Sequence, residues 1–183
     1  MMFDFLSRSK KLNNAAHQLF LNVIEQSRNN KFYENYGVED SFDGRFDLMT
    51  MHMSIILNKL EQHSEINNAK LVRRNLQEIM FDNLDLSLRE IGVGDLGVGK
   101  KIKVMAEAFY GRVTVYQSLL NSNNQNELSD ALERNLYRGK DLEDEILSEM
   151  VKYVFSQWKN VNEQSIENIV DGNISFLAIE GEK

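Results

Sequence analysis

Ten residues at positions 92–101, GVGDLGVGKK, carry the spelling of phosphate chemistry. Read from Gly94 they give G-x-x-x-x-G-K followed by Lys101, and read from Gly92 they satisfy G-x-G-x-x-G. A loop of that kind binds phosphate because it leaves a buried strand, turns backbone N–H groups around the anion, and ends on a helix whose first Ser or Thr holds magnesium. Two of these conditions fail here. The residues before Gly92, DNLDLSLREI, repeat Leu84, Leu88 and Ile91 at helical spacing, and position 101 is Lys rather than Ser or Thr. A dinucleotide fingerprint needs the same preceding strand and fails with it. Nucleotide binding through this loop is therefore a minor alternative. The glycines read instead as an interhelical turn, presenting Asp95, free amides and Lys100 to a protein partner, with Lys101 and Lys103 beside them.

Elsewhere the sequence excludes more chemistry than it offers. There is no Cys, which removes disulfides, thiolate catalysis and Cys-based zinc sites. His17, His52 and His63 lie at no i,i+4 spacing and beside no H-E-x-x-H motif, so neither a metal site nor haem ligation is expected. His52, in the apolar stretch 51–57, reads as a hydrogen-bonded core histidine. No G-x-S-x-G elbow is present and no Ser has activating neighbours, so the expectation is a non-enzyme without cofactor. The methionines of MTMHM read as core, with an adaptable surface for apolar partner segments as the alternative.

Two stretches resist a packing explanation. DSFDGRFD crowds Asp40, Asp43, Arg45 and Asp47 around Gly44, with Phe46 between them. EAFYGR places Gly111 and Arg112 inside a helix directly after Phe109 and Tyr110. A Gly there costs about 0.8 to 1 kcal/mol relative to Ala, so close packing of another helix or a ligand against Gly111 is the expected compensation.

The elements that must position these residues are helices. The 183 residues contain no Pro, and apolar residues recur at helical spacing over 10–28, 44–62, 66–91, 100–120, 125–137 and 141–159. The segment SIENIV reads as one or two helical turns, and NISFLAI as extended. No internal repeat or domain-splitting linker appears, and a chain of this length buries roughly 70% of its unfolded surface. The expectation is one compact all-α domain over 1–183, of six to seven helices without a sheet. It has a flexible N-terminus at 1–9 and a weakly ordered tail at 160–183. With 28 acidic against 21 basic residues, a formal charge of -7, DNA is not the expected partner. No run reaches the 18 or so apolar residues of a membrane-spanning helix. At the start, Phe3, Phe5 and Leu6 precede Arg8, Lys10 and Lys11, the wrong order for a secretory signal and without the character of a transit peptide. This start reads as a frayed end docking on the first helix, with a weak membrane-surface anchor as the alternative.

YGVEDSFDGRFDLMTMH at 36–52, LREIGVGDLGVGKKIKVMAEAFYGR at 88–112 and ALERNLY at 131–137 together resemble the ubiquinol-cytochrome c chaperone family, assembly factors of the cytochrome bc1 complex. The resemblance covers about 33–137, within a core at 30–137. It implies an all-helical protein that binds newly made cytochrome b at or near the ribosome and inner membrane. In mitochondrial members a small second assembly factor takes part. The family motif residues fall here on Asp43, Gly44, Arg45, Phe46 and Asp47, then on Gly92, Gly94, Asp95, Leu96, Lys100 and Lys103, and finally on Phe109, Tyr110, Gly111 and Arg112, as a shared partner-binding surface. Members often carry Pro where this chain has Glu39 and a non-Gly residue near Gly97 and Gly99, a departure that bears on loop rigidity. The resemblance and the short N-terminus place the chain in the bacterial cytoplasm at the inner-membrane face, or on the mitochondrial matrix side in a eukaryote. A general helical adaptor at the ribosome or membrane surface, without a bc1 client, is the alternative.

Overall fold

The computed structural model describes residues 2–140 and 142–179, with side chains from Ser7 onward. Phe3, Phe5 and Leu6 are part of the helical backbone of α1, but their side chains lie outside the described residues. Six long helices carry the fold: α1 (Met2–Ser27), α3 (Phe42–Gln62), α4 (Asn67–Glu90), α5 (Asp95–Asn121), α6 (Gln125–Asn135) and α7 (Asp144–Glu163). Two short ones, α2 (Lys31–Glu34) and α8 (Ile166–Val170), fill the connections. There is no strand among the described residues, as expected for an all-α chain, and no helix among them is long and apolar enough to cross a membrane.

Helix α3 is the axis. It starts where Ser41, in extended backbone, accepts a hydrogen bond from Gly44 N at 3.1 Å, satisfying one of the orphan donors of the first turn. From residue 46 to residue 60 every side chain is buried, so α3 has no solvent face. A helix enclosed on all sides must be apolar all round or pair each polar group internally. This one does both. The methionines of MTMHM are core, with Met51 and Met53 fully enclosed. Thr50 and Ser54 donate back to the carbonyls of Phe46 and Met51 at 2.8 and 2.6 Å. Asn58 Oδ1 accepts from Trp158 Nε1 at 3.1 Å and Gln62 Nε2 at 2.7 Å, and Lys59 Nζ donates to the carbonyl of Asn162 at 2.9 Å.

His52 sits at the middle of α3 with no exposed surface. Its Nδ1 lies 3.0 Å from the Leu48 carbonyl and 2.9 Å from Ser27 Oγ, and its Nε2 lies 2.8 Å from the Tyr153 hydroxyl. A carbonyl only accepts, so Nδ1 carries the proton and Nε2 accepts from Tyr153. Burial pushes the imidazole down to about 3, and it is a neutral structural link between α1, α3 and α7.

The other helices wrap α3. Helices α1, α4, α5 and α7 pack on it directly; α4 and α5 form an antiparallel hairpin, α6 covers α5, and α8 closes against α1 and α4. The ends differ from the sequence expectation in several places; α7, for one, runs Asp144–Glu163 rather than 141–159. Helix α1 is already formed at Met2, not at residue 10. Helix α5 begins at Asp95 rather than 100, because fully buried Val98 continues the inward stripe of Ile102, Met105 and Phe109 by one turn. After α8, residues 173–179 lie against α7 and are held there by side chains described below.

At Gly111 the expected close packing of another helix is not found. A Cβ built there meets nothing within 4 Å and the residue is exposed, so no element among the described residues packs closely on it. Gly44 is the opposite case: its Cβ would lie 2.0 Å from the Glu39 carbonyl oxygen, since the 39–41 backbone crosses over the first turn of α3. Gly44→Ala is therefore expected to destabilise the protein by on the order of 3 kcal/mol. Gly111→Ala should stabilise it by roughly 0.5 to 1 kcal/mol. Urea midpoints of the two variants, moving in opposite directions, check both.

Candidate partner-binding surface

The charges of FDGRFD separate by helical geometry. Asp43 and Asp47, four residues apart, share one side of α3, while Arg45 points elsewhere. Asp47 is 1% exposed and lies between two guanidiniums. Arg138 donates Nε to its Oδ2 at 3.0 Å, with Nη2 at 2.9 Å from the same oxygen. Arg112 Nη1 lies 2.5 Å from Oδ1, off the N–H axis, so that this oxygen is ion-paired without a directed hydrogen bond. Arg138 Nη1 also donates to Asp43 Oδ2 at 2.9 Å. Two carboxylates and two guanidiniums thus join α3, α5 and the turn after α6. The Arg112 guanidinium lies 5.5 Å from the centre of the Phe46 ring, a cation–π contact that fixes this aromatic from above. Tyr116 lies close by, its phenol held well above 10 by burial, with the Asp47 carboxylate contributing.

Arg138 lies one residue past the family-like block ALERNLY and is absent from the sequence-derived site. It adopts φ of 57°, a left-handed conformation uncommon for a side chain larger than Asn, three residues past the end of α6 and just before Gly139. That backbone turn is what aims the guanidinium back at Asp43 and Asp47. A basic residue beside Gly at a helix end was the available signal.

On the far side of the same turn, Arg45 Nε donates to Asp40 Oδ1 at 2.7 Å and its guanidinium lies 5.9 Å from the Tyr33 ring centre. Here a groove of about 270 Å³ opens, floored by Ile24, Phe42, Phe46, Met49 and Leu84, with Arg28, Arg45 and Glu90 among its lining residues. Ile91, the residue before Gly92, closes one wall and is 60% exposed. The first motif and the approach to the glycine turn therefore meet in space, and Phe46 belongs both to this groove and to the ion cluster.

The remaining motif residues do not join that groove. Gly92, with φ of 88°, ends the α4 connection and Gly94 caps α5. Asp95 is ion-paired to Arg89, which also holds Asp85 at 2.7 Å, so the acid braces the hairpin turn. Leu96, 95% exposed, stands on the first turn of α5, with Lys100, Lys101 and Lys103 exposed along the helix. The amides of Gly97 and Val98 donate to the Gly94 carbonyl at 2.7 and 3.0 Å. Backbone groups that a phosphate loop would turn on an anion are thus spent inside a helix, and a helix precedes Gly92, so no phosphate loop is formed. In FYGR, Phe109 and Arg112 face inward and Tyr110 and Gly111 outward, with Phe109 packing edge-on to Phe81 at 5.4 Å. No cluster of potential metal-ligating side chains occurs among the described residues.

Burial raises the Asp47 carboxyl from 3.8 to about 6; Arg112 and Arg138 oppose the rise and Asp43 adds to it. The folded pKa therefore lies above that of the unfolded chain. The stability this group contributes is complete below about pH 4 and is lost as pH rises through about 6, a change of about 3 kcal/mol. Stability measured by urea unfolding from pH 4 to 7 should carry that falling component, and the Asp47→Asn protein should lack it. Equal slopes in the two proteins would contradict the assignment.

The comparisons with known proteins bear on the family and the fold. The model of the ubiquinol-cytochrome C chaperone family matches residues 34–176, a span that holds all three motif blocks, Arg138 and the whole of α7. The crystal structure of the Cbp3 homolog from Brucella abortus is similar over 100% of both chains, with a TM-score of 0.86 at 27% sequence identity. No curated protein matches. With more than half its length matched, this chain belongs to the ubiquinol-cytochrome C chaperone family.

Proposed function

We propose that the protein is a non-enzymatic chaperone in assembly of the cytochrome bc1 complex, and that it holds a segment of newly made cytochrome b in the groove between α1, α3 and α4. The observation that carries this reading is the groove itself. At about 270 Å³ it lies just under the roughly 300–1,000 Å³ of small-molecule pockets, a size for a few apolar side chains of a docked segment rather than for a cofactor. Its floor is apolar and aromatic, as expected of a surface that keeps part of a membrane protein out of water. Arg28, Arg45 and Glu90 give it a charged rim that favours register over bulk stickiness. The adjoining ion cluster holds Phe46 in place, which lowers the ordering cost on binding.

The test is complementation of a deletion strain. Loss of the gene should lower haem b absorbance of assembled bc1 complex several-fold, and the unsubstituted gene should restore it. Ile91→Asp, at an exposed wall position, should leave folding intact and fail to restore it. Unchanged haem spectra on deletion would exclude a bc1 client and leave the adaptor reading.

A second surface favours a peripheral membrane contact. In a chain of net charge -7, Lys100, Lys101 and Lys103 cluster beside exposed Leu96 and Val104 on one helix. Each lysine near an anionic bilayer contributes about 1 kcal/mol, and Leu96 can enter the headgroup region. We infer that α5 rests on the inner-membrane face, leaving the groove free for the client; the ribosome and a small second assembly factor are the other partners that family likeness brings. Sedimentation with phosphatidylglycerol-containing vesicles should exceed that with pure phosphatidylcholine and fall in Leu96→Glu. Equal sedimentation with both would remove the membrane reading.

A further inference from the structure

Helix α7 reads the backbone of another segment through its side chains. Gln157 Oε1 accepts the Leu177 N–H at 2.8 Å while its Nε2 donates to the Leu177 carbonyl at 2.9 Å. Two turns on, Gln164 repeats the pattern on Ser175, accepting from N–H at 3.0 Å and donating to the carbonyl at 2.7 Å. Asn160, between them, donates to the same Ser175 carbonyl at 2.7 Å, and Gln26 of α1 donates to the Leu177 carbonyl at 3.2 Å. Each glutamine amide offers one donor and one acceptor side by side, as a neighbouring β-strand would.

The segment so read is extended. Residues 175 and 177 turn both backbone groups to α7, the period of two of a strand, and Ile174 and Phe176 pack inward while Ser175 and Leu177 face solvent. The two residues lie about 6.7 Å apart and the two glutamines about 10.5 Å apart along the helix, a difference the long glutamine side chains absorb. Side-chain specificity enters through Ile174, Phe176 and Ile179, with the Phe176 ring packing 5.5 Å from His52. Leu177 is 43% exposed and contributes its backbone. Beyond Leu177 and Ala178 the face of α7 continues as an open cleft of about 460 Å³ along Tyr153, Lys152 and Glu149.

We infer that this face of α7, with Gln26 of α1, is a binding site for extended polypeptide, specified by backbone amides and by inward aromatic or apolar side chains spaced as Ile174, Phe176 and Ile179 are. Residues 173–179 are its resident occupant. An incoming extended segment of such a pattern regains every hydrogen bond the resident one gives up, so exchange is governed by the local concentration of the tethered strap and not by lost contacts. The strap is pinned at Gly172, whose φ is 91° and whose would-be Cβ lies 2.9 Å from Ala15 Cα. The site is separate from the α3 groove and does not depend on which client that groove takes.

The probe is a fluorescent peptide of sequence NISFLAI, with a second peptide that keeps Ile, Phe and Ile in place and has threonine elsewhere. Both are titrated onto the full chain, onto Gly172→Ala, and onto Phe176→Ala, which loosens the strap without the clash at α1. Amide exchange at Ser175 and Leu177 reports strap release. The expected result is faster exchange in both variants, with both peptides binding them about tenfold more tightly than the unsubstituted chain. Adding Gln157→Ala and Gln164→Ala should abolish that binding. The inference is overturned if the strap is released and neither peptide binds, if binding survives loss of both glutamines, if the amides stay protected in both variants, or if the released strap only exchanges between two copies of the chain.

Discussion

Enclosing α3 on every side is the constraint from which the rest of the structure follows. A helix buried from residue 46 to residue 60 has no water to satisfy its polar groups, and leaving one unpaired costs on the order of 1–3 kcal/mol. Each is instead assigned to a particular neighbour. Ser27 and Tyr153 hold His52 and thereby set α1 and α7; Asn121 and Trp158 hold Asn58 and set α5 and α7. Apolar packing alone would let these helices slide with little change in buried area. The polar contacts inside the core fix one register for the bundle.

At its N-terminal end α3 must emerge from that core, and the manner of its emergence creates the candidate site. Asp47 is still enclosed and is neutralised by Arg112 and Arg138; one helical step earlier Arg45 is exposed and pairs with Asp40. A buried ion pair is weak evidence for net stability, since desolvation consumes most of the attraction. Its value here is geometric. The Arg112 guanidinium covers Phe46, and Phe46 is the residue that also lines the groove.

How much of this could be read in advance follows from range. The helices rest on local periodicity, and they were legible; so was His52 as a core residue, because its neighbours on the chain are apolar. The charged motif could be recognised as a unit, but the partners of Asp47 lie 65 and 91 residues away, and nothing local pairs them. Arg138 is hidden further because its role depends on a left-handed backbone, which a residue of its size rarely adopts. Gly111 misled for a related reason. A glycine in a helix signals that another helix or a ligand approaches closely, and among the described residues no helix does. The glycine turn was read four to five residues too long, since burial of Val98 pulls the spelling of a loop into the first turns of α5.

Helix α5 then relates the two surfaces to each other. Arg112, which anchors the ion cluster, and Leu96, which stands in solvent at the helix start, are sixteen residues apart on one uninterrupted helix. At 1.5 Å per residue this places them about 24 Å apart on a rigid strut. Asp95 and Arg89 brace the far end against α4, and Asp47 grips the near end within α3. Whatever docks at Leu96 and the lysines is thereby held at a set distance and orientation from the groove under Phe46. On the proposed reading, a bilayer contact at Leu96 and a client contact beside Phe46 would be presented together without a hinge between them.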